Sequence, residues 1–251
     1  MTAIDLIVLL VTAPFIGSFL GVVVQRWGRE TLLGRSHCDH CGHSLAAVDI
    51  VPILSWLILG GKCRYCGAKL GAFFPIMEVL AVVPVLWAAT LMEGPLLIAT
   101  SLLGWLLLAL SLIDWRTERL PDALTGSIAV SGLAVAAFYD LPNLGGHMIG
   151  LLVGFVAFWL VGAVYHLLRK RAGLGLGDAK LLAGLGAWVS WEGLSAIIFL
   201  AAASAIVAVL FRALLKTGET VALTSAQRIP FGPFLSLGGW IVWLYGPLVL
   251  H

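Results

Sequence analysis

The chain has 251 residues, of which 61% are hydrophobic and 11% charged, with a formal net charge of +2. Soluble domains run nearer 45–50% apolar with about 25% charged residues, so the composition excludes an ordinary water-soluble globule. A nucleic-acid partner is not expected either, because the one sizeable polar segment lacks a dense basic patch.

Set against the ~20 residues needed to cross the hydrocarbon, the apolar runs give about eight candidate membrane helices. They cover roughly 4–25, 73–92, 95–113, 123–139, 146–168, 179–191, 194–215 and 231–250. The expected fold is an all-α integral membrane protein of about eight transmembrane helices. The first run carries its arginines behind it, which reads as a helix inserted N-out and not as a cleaved signal peptide.

Between the first and second spans lies the polar segment, about 26–70. It holds all four cysteines, as "CDHC" (Cys38, Cys41) and "CRYC" (Cys63, Cys66). Two such knuckles converge naturally into a tetrahedral thiolate site, and their separation is close to that of zinc ribbons. The glycines of "CDHCGHSL" and "CRYCGAKL" suit the tight turn, and each copy would supply half a site. His37, His40 and His43 are near enough to compete, but four cysteines fill the site. Metal binding would fold a segment with too few apolar residues to fold alone, so zinc is expected to be structural. The rival reading is a pair of redox-active thiols, as in a membrane thiol oxidoreductase.

In the second span Glu78 is either a polar packing contact or part of a site. Asp114 ends the third span in "SLIDWRTERLPDALT", and Asp122 precedes the fourth, where a plain N-cap accounts for it. Asp178 opens the sixth in "GLGLGDAKLLAGLGAW", after Gly173, Gly175 and Gly177. Lys180, two residues on, balances charge or marks the membrane boundary. Ionisable groups at membrane depth are costly and usually mark function. One aspartate at a helix end is commonly a boundary residue. Two carboxyls facing one another in a low-dielectric site would share a proton, as in aspartic proteases. Glycines would then let the backbone adopt strained angles beside Asp178. Trp188 and Trp191 fit an aromatic belt on the opposite face.

With eight spans, all 15 lysines and arginines fall on one side. The opposite loops hold Glu93, Asp140 and Glu192 and no basic residue. Basic loops favour the cytoplasm, which places both termini outside and the cysteines and both aspartates on the cytoplasmic side. Thiols stay reduced there, which favours zinc over disulfide chemistry.

Six blocks in order, "FIGSFLGVVVQR", the paired CxxC knuckles, "VDIVPILSWLILGGKCRYCGAKLGAFFPIMEVL", "SLIDWRTERLPDALT", "GLGLGDAKLLAGLGAW" and "IPFGPFLSLG", resemble the type IV prepilin leader peptidases. These are membrane aspartic proteases carrying a GxGD motif. The resemblance implies that Asp114 and Asp178 are the catalytic pair. It implies a bacterial inner-membrane enzyme that cuts the basic leader from prepilins or pseudopilins at the cytoplasmic face. Many members also methylate the new N-terminus with S-adenosylmethionine. The first block departs from the family where relatives commonly have an asparagine and a proline, and no Rossmann-type cofactor loop is present. The implied organisation is a first helix (1–25), a zinc-binding segment (26–70) and a seven-helix peptidase domain (71–251), with membrane lipids and a prepilin as partners. The alternative from another class is a proton- or cation-coupled transporter that uses the two aspartates as a relay.

Overall fold

A computed structural model describes residues 3–28, 34, 36–170, 175–215 and 230–246. Among these the structure is helical apart from two isolated bridges, His37 to Ser44 and Lys62 to Lys69. Arg29, Arg35, Arg171, Gly173, Lys216 and Arg228 lie outside the described residues. The chain divides into two compact units, Met1–Trp105 and Leu106–His251.

In the first unit, helix α1 (Ala3–Arg26) packs against α3 (Phe73–Leu80) and α4 (Val82–Ala88). A Cβ on Gly17 would lie 2.6 Å from the Met77 carbonyl oxygen and 2.7 Å from the Glu78 Cα. The two backbones therefore touch, as small residues allow between membrane helices. Helices α3 and α4 meet at Ala81, because Pro84 offers no N–H and its ring crowds the carbonyl four residues back. The Ala81 carbonyl accepts the Trp105 indole N–H at 2.8 Å. Between α1 and α3 lie the knuckles, a 3-10 turn (Ala47–Ile50) and the short α2 (Leu54–Ile58).

Helix α5 (Gly94–Thr117) runs from the first unit into the second. The second unit is built around α8 (Leu176–Val189), with α6 (Asp122–Tyr139), α7 (Leu144–Arg169) and α10 (Gly232–Tyr245) against it and α9 (Leu194–Leu215) beside α10. Ala179 and every residue from Leu181 to Trp188 are buried. A helix apolar on all faces belongs inside, and this one has 14 residues. At 1.5 Å per residue it is about 21 Å long, short of the ~30 Å hydrocarbon. Side-chain space on its neighbours explains how it fits. A Cβ on Gly150 would lie 2.5 Å from the Gly186 carbonyl, one on Gly154 2.7 Å from that of Leu182, and one on Gly132 2.6 Å from Trp188.

Five helices, α1, α5, α6, α7 and α9, are long and apolar enough to cross a membrane. The other expected spans correspond to shorter apolar helices: α3 with α4, α8 and α10. The protein is thus an all-helical integral membrane protein. Trp188 corrects one expectation. It is buried in the core, donates its indole N–H to the Ile128 carbonyl at 2.9 Å and meets Trp243 edge-on. Apolar sequence is common to lipid-facing and core tryptophans, and only the packing distinguishes them. Trp191 is exposed, as a belt residue would be.

Candidate active site and metal centre

The four cysteine sulfurs lie within 4.8 Å of one another. Each knuckle is built the same way. Gly42 donates to the Cys38 carbonyl at 2.8 Å and Cys38 to that of His43 at 3.0 Å. Gly67 donates to the Cys63 carbonyl at 2.9 Å and Cys63 to that of Ala68 at 2.8 Å. Gly42 and Gly67 have φ of 68° and 69°, the left-handed region that glycine enters freely. The turn chemistry therefore repeats along with the sequence.

Cys38 and Cys66 Sγ are 3.8 Å apart, the edge of a tetrahedron with Zn–S bonds of about 2.3 Å. The backbone N–H groups of Cys41 and His40 hold the Cys38 thiol down to about 6. Cys66 goes the other way: although the Ala68 N–H favours its thiolate, burial and the neighbouring thiols push it up to about 11. Four sulfurs this close cannot all be thiolates without a cation among them, so the donor set fits a metal ion. The histidines are not in the cluster. The His43 ring rests on Tyr65, centroids 3.7 Å apart, and so ties one knuckle to the other. Asp49 accepts from Arg64 Nε at 2.6 Å and from the Ala46 N–H at 3.2 Å. Burial opposes its ionisation, but Arg64 and the Ala46 N–H outweigh this and hold Asp49 below the usual carboxylate range.

Glu78 is buried, and its Oε2 accepts the Ile53 N–H at 2.7 Å. Ile53 has φ of 62°, a strained conformation for a β-branched residue. This bond anchors the start of α2.

Asp114 sits in the last turn of α5, buried, with Oδ2 accepting the Gly232 N–H at 3.0 Å. The helix stops just beyond it, because Glu118 turns left-handed (φ 51°) and donates to the Asp114 carbonyl at 2.8 Å. Asp178 is in the first turn of α8, half-buried, and its Oδ2 accepts the Gly175 N–H at 3.3 Å. Leu120, six residues beyond Asp114, lies against Gly177, the residue before Asp178. The end of α5, which carries Asp114, and the start of α8, which carries Asp178, are thus brought together.

The surroundings revise two expectations. Asp122 is the first residue of α6, with Pro121 in the capping position and no side-chain cap bond. Its carboxylate instead accepts Lys180 Nζ at 2.6 Å, which also assigns Lys180 a partner. Nor, among the described residues, is the backbone just before Asp178 strained: Gly175 is extended at φ −73°, and Gly177 is helical. What Gly177 supplies is room, since a Cβ there would lie 2.9 Å from Leu120 Cβ. The "LPD" turn is therefore seated on the first turn of α8.

Sequence reasoning missed Gly232. A glycine followed by proline at a helix start announces an unbonded backbone N–H. Nothing local says which acceptor it will meet.

An all-helical membrane fold with a four-cysteine cluster and carboxyls at the end of α5 and the start of α8 defines a membrane enzyme candidate. Residues 11–92 match the Bacterial Peptidase A24 N-terminal domain, and residues 101–211 the Type IV leader peptidase family. A "Prepilin leader peptidase/N-methyltransferase" of Aeromonas hydrophila is 35% identical over 260 residues, covering 92% of this chain and 87% of that one. One so named from Burkholderia pseudomallei (strain 1026b) is 35% identical over 282 residues, covering 98% and 87%. A "Type 4 prepilin-like proteins leader peptide-processing enzyme" of Escherichia coli O78:H11 is 35% identical over 250 residues, covering 89% and 88%. No solved structure matches. The chain belongs to the type IV leader peptidase family and is a membrane peptidase of that family.

Proposed function

We propose that the protein is an aspartic endopeptidase that removes the short basic leader of type IV prepilins or pseudopilins at the cytoplasmic face of the bacterial inner membrane. The observation that supports this is the seating of the turn after Asp114 on the first turn of α8, beside Asp178, with Asp114 buried and Asp178 half-buried. Such a pair holds one proton between them more readily than two charges. The ionised carboxyl takes a proton from water, whose oxygen attacks the scissile carbonyl. The protonated one donates to the carbonyl oxygen; as the tetrahedral intermediate collapses, the proton taken from water goes to the leaving amine and a hydroxyl of the intermediate returns its proton to the other carboxylate. Burial in a membrane keeps bulk water from competing with these contacts.

Basic residues gathered on one side support a cytoplasmic site with both termini outside. Cys38, Cys41, Cys63 and Cys66 would hold a zinc ion, which would supply folding free energy and no chemistry of cleavage. The names of the relatives support a second activity, S-adenosylmethionine-dependent methylation of the new N-terminus. Incubation of cleaved prepilin with labelled cofactor tests it directly.

The primary experiment is cleavage of a prepilin by the purified protein, comparing wild type with Asp114→Asn and Asp178→Asn. Each variant is expected to lose about 10³-fold or more in rate while keeping its fold and its metal. Normal cutting by either one removes that residue from the mechanism.

A further inference from the structure

The geometry points to the backbone N–H of Gly232 as a positioning group for Asp114, one that dedicates Oδ2 to structure and leaves Oδ1 for the chemistry. This rests on reading Asp114 as one of the catalytic carboxyls. Gly232 is the first residue of α10, where the N–H has no partner within its own helix. Here that donor is used: it meets Asp114 Oδ2 at 3.0 Å in a buried setting, the one hydrogen bond to this carboxyl among the described residues. The fit leaves no spare room. A Cβ at position 232 would lie 2.6 Å from Oδ2, 3.1 Å from Cγ and 3.3 Å from the Asp114 Cβ. The residue is therefore glycine because a carboxylate lies against it.

The start of α10 is itself held in place. The Phe231 carbonyl accepts the N–H groups of Phe234 and Leu235 at 3.1 Å each, and its ring lies against Phe158 of α7, centroids 6.3 Å apart. Pro233 presets the backbone for the first turn. A backbone amide also suits the task chemically. It donates without ever titrating near neutral pH, so it cannot drain the proton that the two aspartates must exchange. A hydroxyl or imidazole donor would add a third exchangeable site to the pair. Asp178 differs, since its Oδ2 accepts from Gly175 at its own helix start. Asp114 is held by a helix far away in sequence, and its aim depends on α10.

Replacing the Gly232 amide by an ester (Gly232→glycolic acid, by nonsense suppression) removes the donor and adds no atom. Loss of a hydrogen bond to a charged group predicts a roughly 10- to 100-fold fall in kcat, with KM for prepilin within about twofold and the pH–rate profile displaced. Gly232→Ala is expected to act in the same direction. Gly239→Ala, also in α10, is the packing control, because its Cβ would strike Leu185 of α8 and not the carboxyl; it should leave the pH profile in place. Wild-type kcat and pH profile in the ester variant would overturn the inference. So would equal kcat losses and unchanged profiles in the two alanine variants. Failure of the dyad itself would show separately, as normal cleavage by Asp114→Asn.

Discussion

Cys38 and Cys63 are placed by hydrogen bonds to residues four or five positions along the chain, whereas Asp114 is aimed by Gly232 from another helix altogether. The metal centre is assembled from two local turns of the same design, each needing only its own glycine and its own carbonyl. The carboxyl pair is assembled from helix termini, so its geometry is a property of how α5, α6, α8 and α10 pack. The difference teaches where each will break. The knuckles should fail through their ligands, and the dyad through buried contacts that contain no catalytic group.

Cys63→Ser is the sharpest test of the first half. Structural zinc contributes on the order of 10 kcal/mol to such segments, and this one has few buried apolar residues to take over. The expected result is loss of bound metal from the purified protein and rapid proteolysis within residues 36–70. Retained stoichiometric metal would mean that a neighbouring histidine substitutes, contrary to the cluster described above.

Gly186→Val tests the second half next. Its Cβ would collide with the Gly150 backbone of α7, far from either aspartate. Overpacking of this kind costs about 1–3 kcal/mol, more when backbone must move. The midpoint of thermal unfolding in detergent should fall by several degrees and cleavage should drop with it, while metal content stays at the wild-type level. Unaltered stability would mean that α7 and α8 are not held at backbone contact.

Asp49→Asn probes the knuckles more gently. Its side chain is 2% exposed and joined to Arg64, which lies between two ligands, but the arginine is 49% exposed. Outer-shell partners of metal sites are worth about tenfold or more in affinity, and solvent screening puts this pair near the low end. The sign with pH follows from a folded value held below the ordinary one. The contribution is complete above the usual aspartate range, about 3.9, and fades as pH falls through the depressed value. Competition with a chelator at neutral pH should therefore reveal the loss, and an unchanged metal affinity would remove Asp49 from the support of the site.

The same contrast explains what was legible in the sequence. The paired CxxC segments could be read because everything they need is written within a dozen residues. Apolar run lengths gave the helices, because the bilayer imposes one length scale on all of them. Asp114 and Asp178 stood out as charges at membrane depth. Their supports did not. Gly177 looked like a place for strained backbone and proves to be a seat for Leu120, and Trp188 looked like an aromatic-belt residue and is core. Glycine in a sequence announces freedom or space without saying which, and only the neighbour across the interface decides.

The smallest effect is expected where a polar contact looks most conspicuous. Lys180 and Asp122 form a 2.6 Å ion pair next to the site, linking the first residue of α6 to the fifth residue of α8. Their side chains are 31% and 77% exposed, so the pair is screened by solvent and salt. Exposed pairs of this kind are worth about 0–1 kcal/mol. Lys180→Met and Asp122→Asn should each lower cleavage by only a few-fold, and the double variant should do no worse than the two single effects combined. The charge-reversed pair, Lys180→Asp with Asp122→Lys, should recover most of what either reversal alone loses. If instead one neutral substitution abolishes cleavage, the side-chain link is holding the aspartates in register. The seating of Gly177 under Leu120 would then be insufficient by itself, and the dyad would depend on a surface charge.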